Sequence, residues 1–456
     1  MVPLRIELPM SEPRWLITNA LLVSDGRSFH ADLRVRDGRI DKIERSIGAE
    51  SDDCVIDASG MWLLPGMIDS QVHFREPGLT HKGDIHSESR AAIAGGITSY
   101  MEMPNTRPPA IDIETLEAKY ARAAEVSAAN YAFYLGATND NLEQIRRVDP
   151  RRVPGLKVFM GASTGNMLVD NPEVLDAIFR DAPCTIITHC EDTPTIDANV
   201  ALAKAKYGDD IPVELHPELR SREACMKSTR LALELARAHG SSLHVLHIST
   251  ADELALFTPG PIEGKRITAE TCVHFLHFDS RDYLRRGNFI KCNPAVKHAA
   301  DRVAIVQALA EGRLDVLATD HAPHTLREKS QHYGAAPSGL PLVQHALQCA
   351  LERVFDGDIP LTTLVERFAH AAAKRYRIRD RGFLREGAHA DLVLVDPNLP
   401  QQIRREDTLS RCGWSPFEGE TFRSSIRATF VNGRRVWHDG AFDQTPRAMR
   451  LEFEAK

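Results

Sequence analysis

Through the middle of the chain, short apolar runs alternate with helix-like segments, and this alternation limits the possible folds more than any other feature. The runs are MWLLPGMIDSQVHF, ITSYMEM, YAFYLGA, GLKVFM, CTIITHC, SLHVLHIS, RITAETCVHF and LDVLATD. Between them lie SESRAAIAGG, IETLEAKYARAAEV, NPEVLDAIFRDA, SREACMKSTRLALELARAHG and DRVAIVQALAEG. Parallel strands need long crossover connections, usually helical. Eight such β runs predict an α/β fold, a (β/α)8 TIM-like barrel. An open doubly wound sheet is the alternative, but no GxGxxG follows the first run, which counts against a dinucleotide-binding version.

The two ends read as β structure. WLITNALLV and ADLRVRDGRIDKIE alternate around an Asp37-Gly38 turn, and ADLVLVDP and IRATFVNGRRVW alternate around Asn432-Gly433. Each end looks like half of a sheet, so the termini are expected to pair as one small β-sandwich domain. The expected division is 1–64 and 386–456 for that domain and 65–385 for the barrel.

Composition excludes several classes. The chain has 456 residues, 43% apolar and 26% charged, with a formal charge of −7. No Lys/Arg-rich run offers a face for nucleic acid. No apolar stretch is long enough to span a bilayer, and the N-terminus has no apolar core of signal-peptide length. Eight scattered cysteines form no CxxC pair and read as reduced, mostly buried thiols. A cytoplasmic enzyme with a small-molecule substrate is expected.

Polar residues recur at the same place in successive runs. Asp69, Gln71 and His73 close the first, and Asn105 follows the second. Lys157 is in the fourth, His189 and His247 end the fifth and sixth, and Asp320 ends the eighth. In a barrel all these strand ends face one mouth, where active sites are assembled. Gln71 and His73 share one strand face. Lys157, inside GLKVFM, needs a partner or must lose its charge, and carbamylation would make it an anion able to bridge two cations. Imidazole nitrogens and carboxylate oxygens are good zinc ligands, so His73, Lys157, His189, His247 and Asp320 could hold one or two divalent ions. Such ions would ionise water and polarise a carbonyl, with Asp320 as acid/base. His244 is assigned to the opposite face of its strand and left out. Taken singly, each histidine is more often a hydrogen-bonded core or surface residue; the coincidence across strands carries the metal-site reading.

The segments PGMIDSQVHFREPGLTHKGD, AGGITSYMEMPNT, GLKVFMGAS, ITHCED, VLHIST and ATDHAPH resemble the amidohydrolase superfamily, in order, over residues 13 to 440. HFREPG with MPNT is similar to its dihydroorotase branch. The resemblance implies reversible hydrolysis of a cyclic amide in pyrimidine synthesis, zinc with a carbamylated Lys157, and a homodimer. It implies metal binding by His73, Lys157, His189, His247 and Asp320, acid/base work by Asp320, and substrate contacts from Arg75, Asn105 and His324, with Asn293 as a further contact. The planar guanidinium of Arg75 suits a carboxylate. The segment HTLREKSQHYGAAPSGLP after the eighth run reads as either a mobile cover or an ordinary loop.

One departure stands out. The family pattern DxHxH is here Asp69-Ser70-Gln71-Val72-His73. An amide oxygen is a weaker zinc donor than imidazole, so Gln71 is expected to be a weak or absent ligand, and the ion near His73 and Asp320 to bind less tightly or be lost. Two alternatives stay open: a neighbouring cyclic amidase of the dihydropyrimidinase or allantoinase kind, and a silent homologue that scaffolds another pyrimidine enzyme.

Overall fold

The computed structural model describes residues 13–161, 167–442 and 447–454. Residues 162 and 163 of the GLKVFMGAS segment lie outside these.

All eight apolar runs contain strands. Met67–Val72, Ile97–Glu102 and Asn130–Phe133 form one parallel sheet. Leu135–Gly136, Leu156–Phe159, Ile186–His189, Leu243–Val245, Ile267–Cys272 and Val316–Ala318 form a second, in sequential order. Only Tyr134 separates the sheets along the chain on one side. On the other side, a bridge between Val72 and His321 and a 2.7 Å bond from His73 N to His321 O bring their edges together. Asp69 reinforces this seam by accepting from Thr319 Oγ1 at 2.6 Å and Thr319 N at 3.1 Å. The molecule is thus a mixed α/β fold with parallel sheets.

The helices begin where side-chain caps allow. Asp84, Asp112, Asn171, Asp192 and Ser221 each accept from a first-turn amide of the helix they precede. Those amides have no intrahelical acceptor, so each cap satisfies a donor that would otherwise be orphaned.

The two ends of the chain do join. One hydrogen-bonded path runs Ala441–Phe442, Arg434–His438, Ser425–Val431, Leu392–Asp396, Trp62–Pro65, Arg14–Ser24, Arg27–Arg36, Arg39–Glu44, with Asp53–Asp57 added to Arg14–Ser24. Both expected turns have positive φ at both positions: Asp37 at 49° and Gly38 at 78°, Asn432 at 50° and Gly433 at 78°. The turns pack against one another, and a Cβ on Gly433 would lie 2.6 Å from Gly38 Cα. Glycine is required there by both conformation and space. All eight cysteines are free; seven are buried and Cys54 is exposed. No helix among the described residues is long and apolar enough to cross a membrane.

Candidate active site

At the ends of the parallel strands, residues separated by up to 268 positions line one small cavity of about 20 Å³. Its walls include Gln71, His73, Arg75, Lys157, His189, His247, Asn293 and Asp320, with Ser338 and Gly339 from the loop after the eighth strand. Asn105 and His324, the other two expected residues, stand directly behind. His73 Nδ1 is 2.8 Å from Asn105 Oδ1, and Arg75 Nη2 is 3.1 Å from His324 Nε2. A larger cavity of about 450 Å³, around Arg266 and Arg375, contains none of the expected residues.

Three residues at the site have left-handed backbone. Arg75, His247 and Asp320 have φ of 73°, 38° and 52°. Left-handed backbone is costly for such side chains and persists where surrounding structure enforces it, often at functional sites. For Asp320 the enforcing bonds are those between Asp69 and Thr319, one residue upstream.

The left-handed turn at His247 also corrects the placement of His244. Counting alternation back from His247 puts His244 outside, but the strand ends at Val245, so the count breaks. In register, His244 lies beside Ile187, which lies beside Lys157, and neighbours in register share a face. His244 is fully buried, 3.0 Å from Glu270 and 2.8 Å from Thr268 Oγ1. Burial pushes its imidazole down to about 3 and the Glu270 carboxyl up to about 8. It is a neutral residue of the interior.

The donors fall into two pairs around Lys157. In the first, His189 Nδ1 is 2.9 Å from His247 Nε2. In the second, His73 Nε2 is 3.2 Å from Asp320 Oδ1. Among the described residues no three His, Cys, Asp or Glu side chains cluster tightly enough to hold an ion by themselves. Lys157 is nearly fully buried, its ammonium position 4.5 Å from the Phe159 ring centre. Burial pushes it down to about 8. Burial also lowers all three histidines, which favours neutral imidazoles with lone pairs to offer.

Tautomers follow from the neighbours. The Asn105 oxygen takes the Nδ1 proton of His73 and leaves Nε2 facing Asp320. Asn105, expected to contact substrate, meets His73 through its side-chain oxygen. Glu191 Oε2 stands 3.1 Å from His189 Nε2 and is paired with Arg220. Burial alone would raise the Glu191 carboxyl, but Arg220 and His189 hold it at about 2. The Glu191 charge 3.1 Å away favours a proton on Nε2, which is not in hydrogen-bonding geometry with it, and so leaves the lone pair of His189 on Nδ1. The sequence reading missed Glu191, although its position two residues after His189 was a usable signal. Asp320 is also held at about 2: burial opposes ionisation, and the close approach of His73 with the other nearby histidines outweighs it.

The Gln71 amide nitrogen donates to Asp320 Oδ1 at 3.0 Å. The reverse orientation would set an amide oxygen against a carboxylate, so this assignment is the favourable one. Its oxygen points the other way, 3.9 Å from Cys272 Sγ.

Arg75 is almost completely buried, and burial lowers it to about 10. Its Nε donates to Pro323 O at 3.1 Å. Among the described residues no carboxylate reaches it within ion-pair distance, although Glu328 pairs with nearby Lys82 at 3.0 Å. Asn293 Oδ1, on the cavity wall, is buried without a hydrogen-bond partner.

Residues 62–436 match the amidohydrolase family. The chain is 34% identical to a dihydroorotase of Halobacterium salinarum, over 91% of this chain and 96% of that one. It is 32% identical to an allantoinase of Bacillus velezensis, over 94% and 95%. Among solved structures it is similar to an L-hydantoinase (dihydropyrimidinase) from Arthrobacter aurescens, with TM-score 0.90, 26% identity, and 96% and 99% of the two chains covered. These likenesses imply a TIM barrel with a β-sandwich domain, and members of the family are generally metal-dependent. With its strand-end site and these relatives, the chain belongs to the amidohydrolase family and is a hydrolase acting on cyclic amides.

Proposed function

We propose that this chain is a dihydroorotase, which opens and closes the ring amide between dihydroorotate and N-carbamoyl-aspartate. One observation carries the choice among cyclic amides: Arg75 is a buried guanidinium at the cavity with no carboxylate partner among the described residues. An unpaired buried cation costs several kcal/mol, and an arriving carboxylate offsets that cost. Dihydroorotate brings a ring carboxylate; allantoin and dihydrouracil do not. The unpartnered Asn293 oxygen is a further acceptor for a ring N–H.

The donor set fits a divalent cation on one side. Two neutral imidazole nitrogens 2.9 Å apart, with a buried lysine beside them, suit one ion held by His189, His247 and a carbamylated Lys157. In the pair of His73 and Asp320, the carboxylate is instead engaged by the Gln71 amide. We read Gln71 as no ligand and the site as a one-ion centre. When bound, the cation supplies Lewis acidity to the amide carbonyl and acidifies water. Asp320 takes the proton of the attacking water and delivers it to the leaving ring nitrogen. Both contacts from Gln71 and His73 go to Oδ1, so Oδ2 is the oxygen outside them. Arg75 and Asn293 orient the ring. Ser338 and Gly339, from the loop after the eighth strand, form part of the wall of this small cavity.

The test is turnover of dihydroorotate against dihydrouracil and allantoin by purified protein supplied with zinc and bicarbonate, with ion content measured alongside. Preference for dihydroorotate supports the reading. Preference for an uncharged ring transfers the chain to the allantoinase or hydantoinase relatives. An ion-free, inactive protein points to a scaffolding role.

A further inference from the structure

His324 stands between two cations. Arg75 Nη2 is 3.1 Å from its Nε2, and Lys82 Nζ is 3.0 Å from its Nδ1. The carbonyl of Ser338 is 3.0 Å from Nε2. His324 is fully buried, and burial together with Arg75 and Lys82 pushes its imidazolium well below the ordinary range. The ring is neutral, so it carries one proton, and its neighbours decide where.

A proton on Nε2 lets Nδ1 accept from Lys82 and lets Nε2 donate to Ser338 O. Two contacts are then satisfied, and the third, Arg75 against Nε2–H, sets donor against donor. A proton on Nδ1 satisfies the contact with Arg75 but sets Nδ1–H against the Lys82 ammonium and a lone pair against the Ser338 carbonyl. The first arrangement wins by two contacts to one, and Lys82 supplies the deciding bond. It also leaves an Arg75 N–H 3.1 Å from the Nε2–H of His324, whose acceptor without substrate is the Ser338 carbonyl. A single anionic oxygen placed against both relieves that mismatch.

We infer that Lys82 is a positioning residue which, by donating to Nδ1, holds the Nε2 proton of His324 beside Arg75 so that the two form a paired donor site for a substrate carboxylate. Lys82 does not reach the cavity wall itself. Glu328 Oε1 lies 3.0 Å from its ammonium. The inference rests on the reading of the substrate as a carboxylated ring.

Two measurements separate the inference from that reading. Ring ¹⁵N shifts of histidine-labelled protein, with His324 assigned by its loss in His324→Gln, report the tautomer without any substrate. The wild type is expected to show Nε2–H, Lys82→Met to show Nδ1–H, and Lys82→Arg, which can still donate, to restore Nε2–H. Glu328→Gln loosens the loop but keeps the donor, so it is expected to keep the Nε2–H form and separates loss of the bond from loss of loop packing. In turnover, Lys82→Met is expected to raise KM for dihydroorotate on the order of tenfold, the loss of one charge-assisted hydrogen bond, with a smaller change in kcat. An Nδ1–H ring in the wild type, or a Lys82→Met variant with unchanged ring and KM, overturns the inference. If the ring responds as expected while dihydroorotate is not turned over, Lys82 keeps its role and the dihydroorotase reading falls.

Discussion

Gln71 and Asp320, 249 positions apart, are joined by a 3.0 Å hydrogen bond from amide to carboxylate on the floor of the cavity. The bond uses the donor end of Gln71, in keeping with the proposal that Gln71 is not an ion ligand. Replacing it restores the family pattern. Gln71→His is expected to raise zinc content from one ion per chain towards two after loading with bicarbonate, because imidazole is the better donor. Elemental analysis of desalted protein reads this directly, and an unchanged stoichiometry would count against the one-ion centre.

Asp320 is the only carboxylate on the cavity wall among the described residues, so proton transfer is assigned to it. Asp320→Ala is expected to lower kcat by about 10³-fold or more while the chain remains folded. Its melting curve should shift modestly, since Gln71 Nε2 loses its acceptor, at about 1–3 kcal/mol. Near-normal turnover would remove Asp320 from the mechanism.

Arg75 poses stability against binding. Without substrate it is a buried charge lacking a carboxylate, so Arg75→Met is expected to melt no lower than the wild type. The same variant should lose about 10²-fold or more in kcat/KM for dihydroorotate, the value of a bidentate charged contact. A sharp fall in melting temperature with kcat/KM intact would reverse the assignment.

Glu191 anchors His189 and faces Arg220. Glu191→Gln is expected to weaken ion affinity about 10- to 100-fold, as loss of such supporting carboxylates does. The pair also has a pH signature. The folded pKa, about 2, lies below the ordinary 4.5. Its stabilisation is therefore fully present above pH 4.5 and is lost as pH falls from there through 2. Acid unfolding of ion-free protein followed by circular dichroism should be less steep in Glu191→Gln over that window; superimposable curves would argue that the pair adds no net stability.

Much of this was legible in the sequence. Strands Ile186–His189 and Val316–Ala318 are apolar runs ending in chemistry, and helix Ile113–Val126 coincides with the expected segment IETLEAKYARAAEV. Helix Thr193–Tyr207 was not expected, because apolar side chains are spread around it and only Ile196 and Ala203 are buried, so no stripe marks it. His244 was misplaced because alternation holds only while a strand continues, and a left-handed residue at 247 breaks the count.

The order of ligand-type residues, the βα alternation and the pairing of the two ends were set by local pattern, since periodicity and turn chemistry act over a few residues. What only the tertiary structure decided was partnership: that Gln71 serves Asp320, that Asn105 orients His73, that Glu191 orients His189, and that Lys82 and Arg75 enclose His324. Most of these partners are tens to hundreds of positions apart in the chain. Which ring nitrogen carries a proton, and which end of an amide faces a carboxylate, depend on contacts of about 3 Å that linear spacing does not encode.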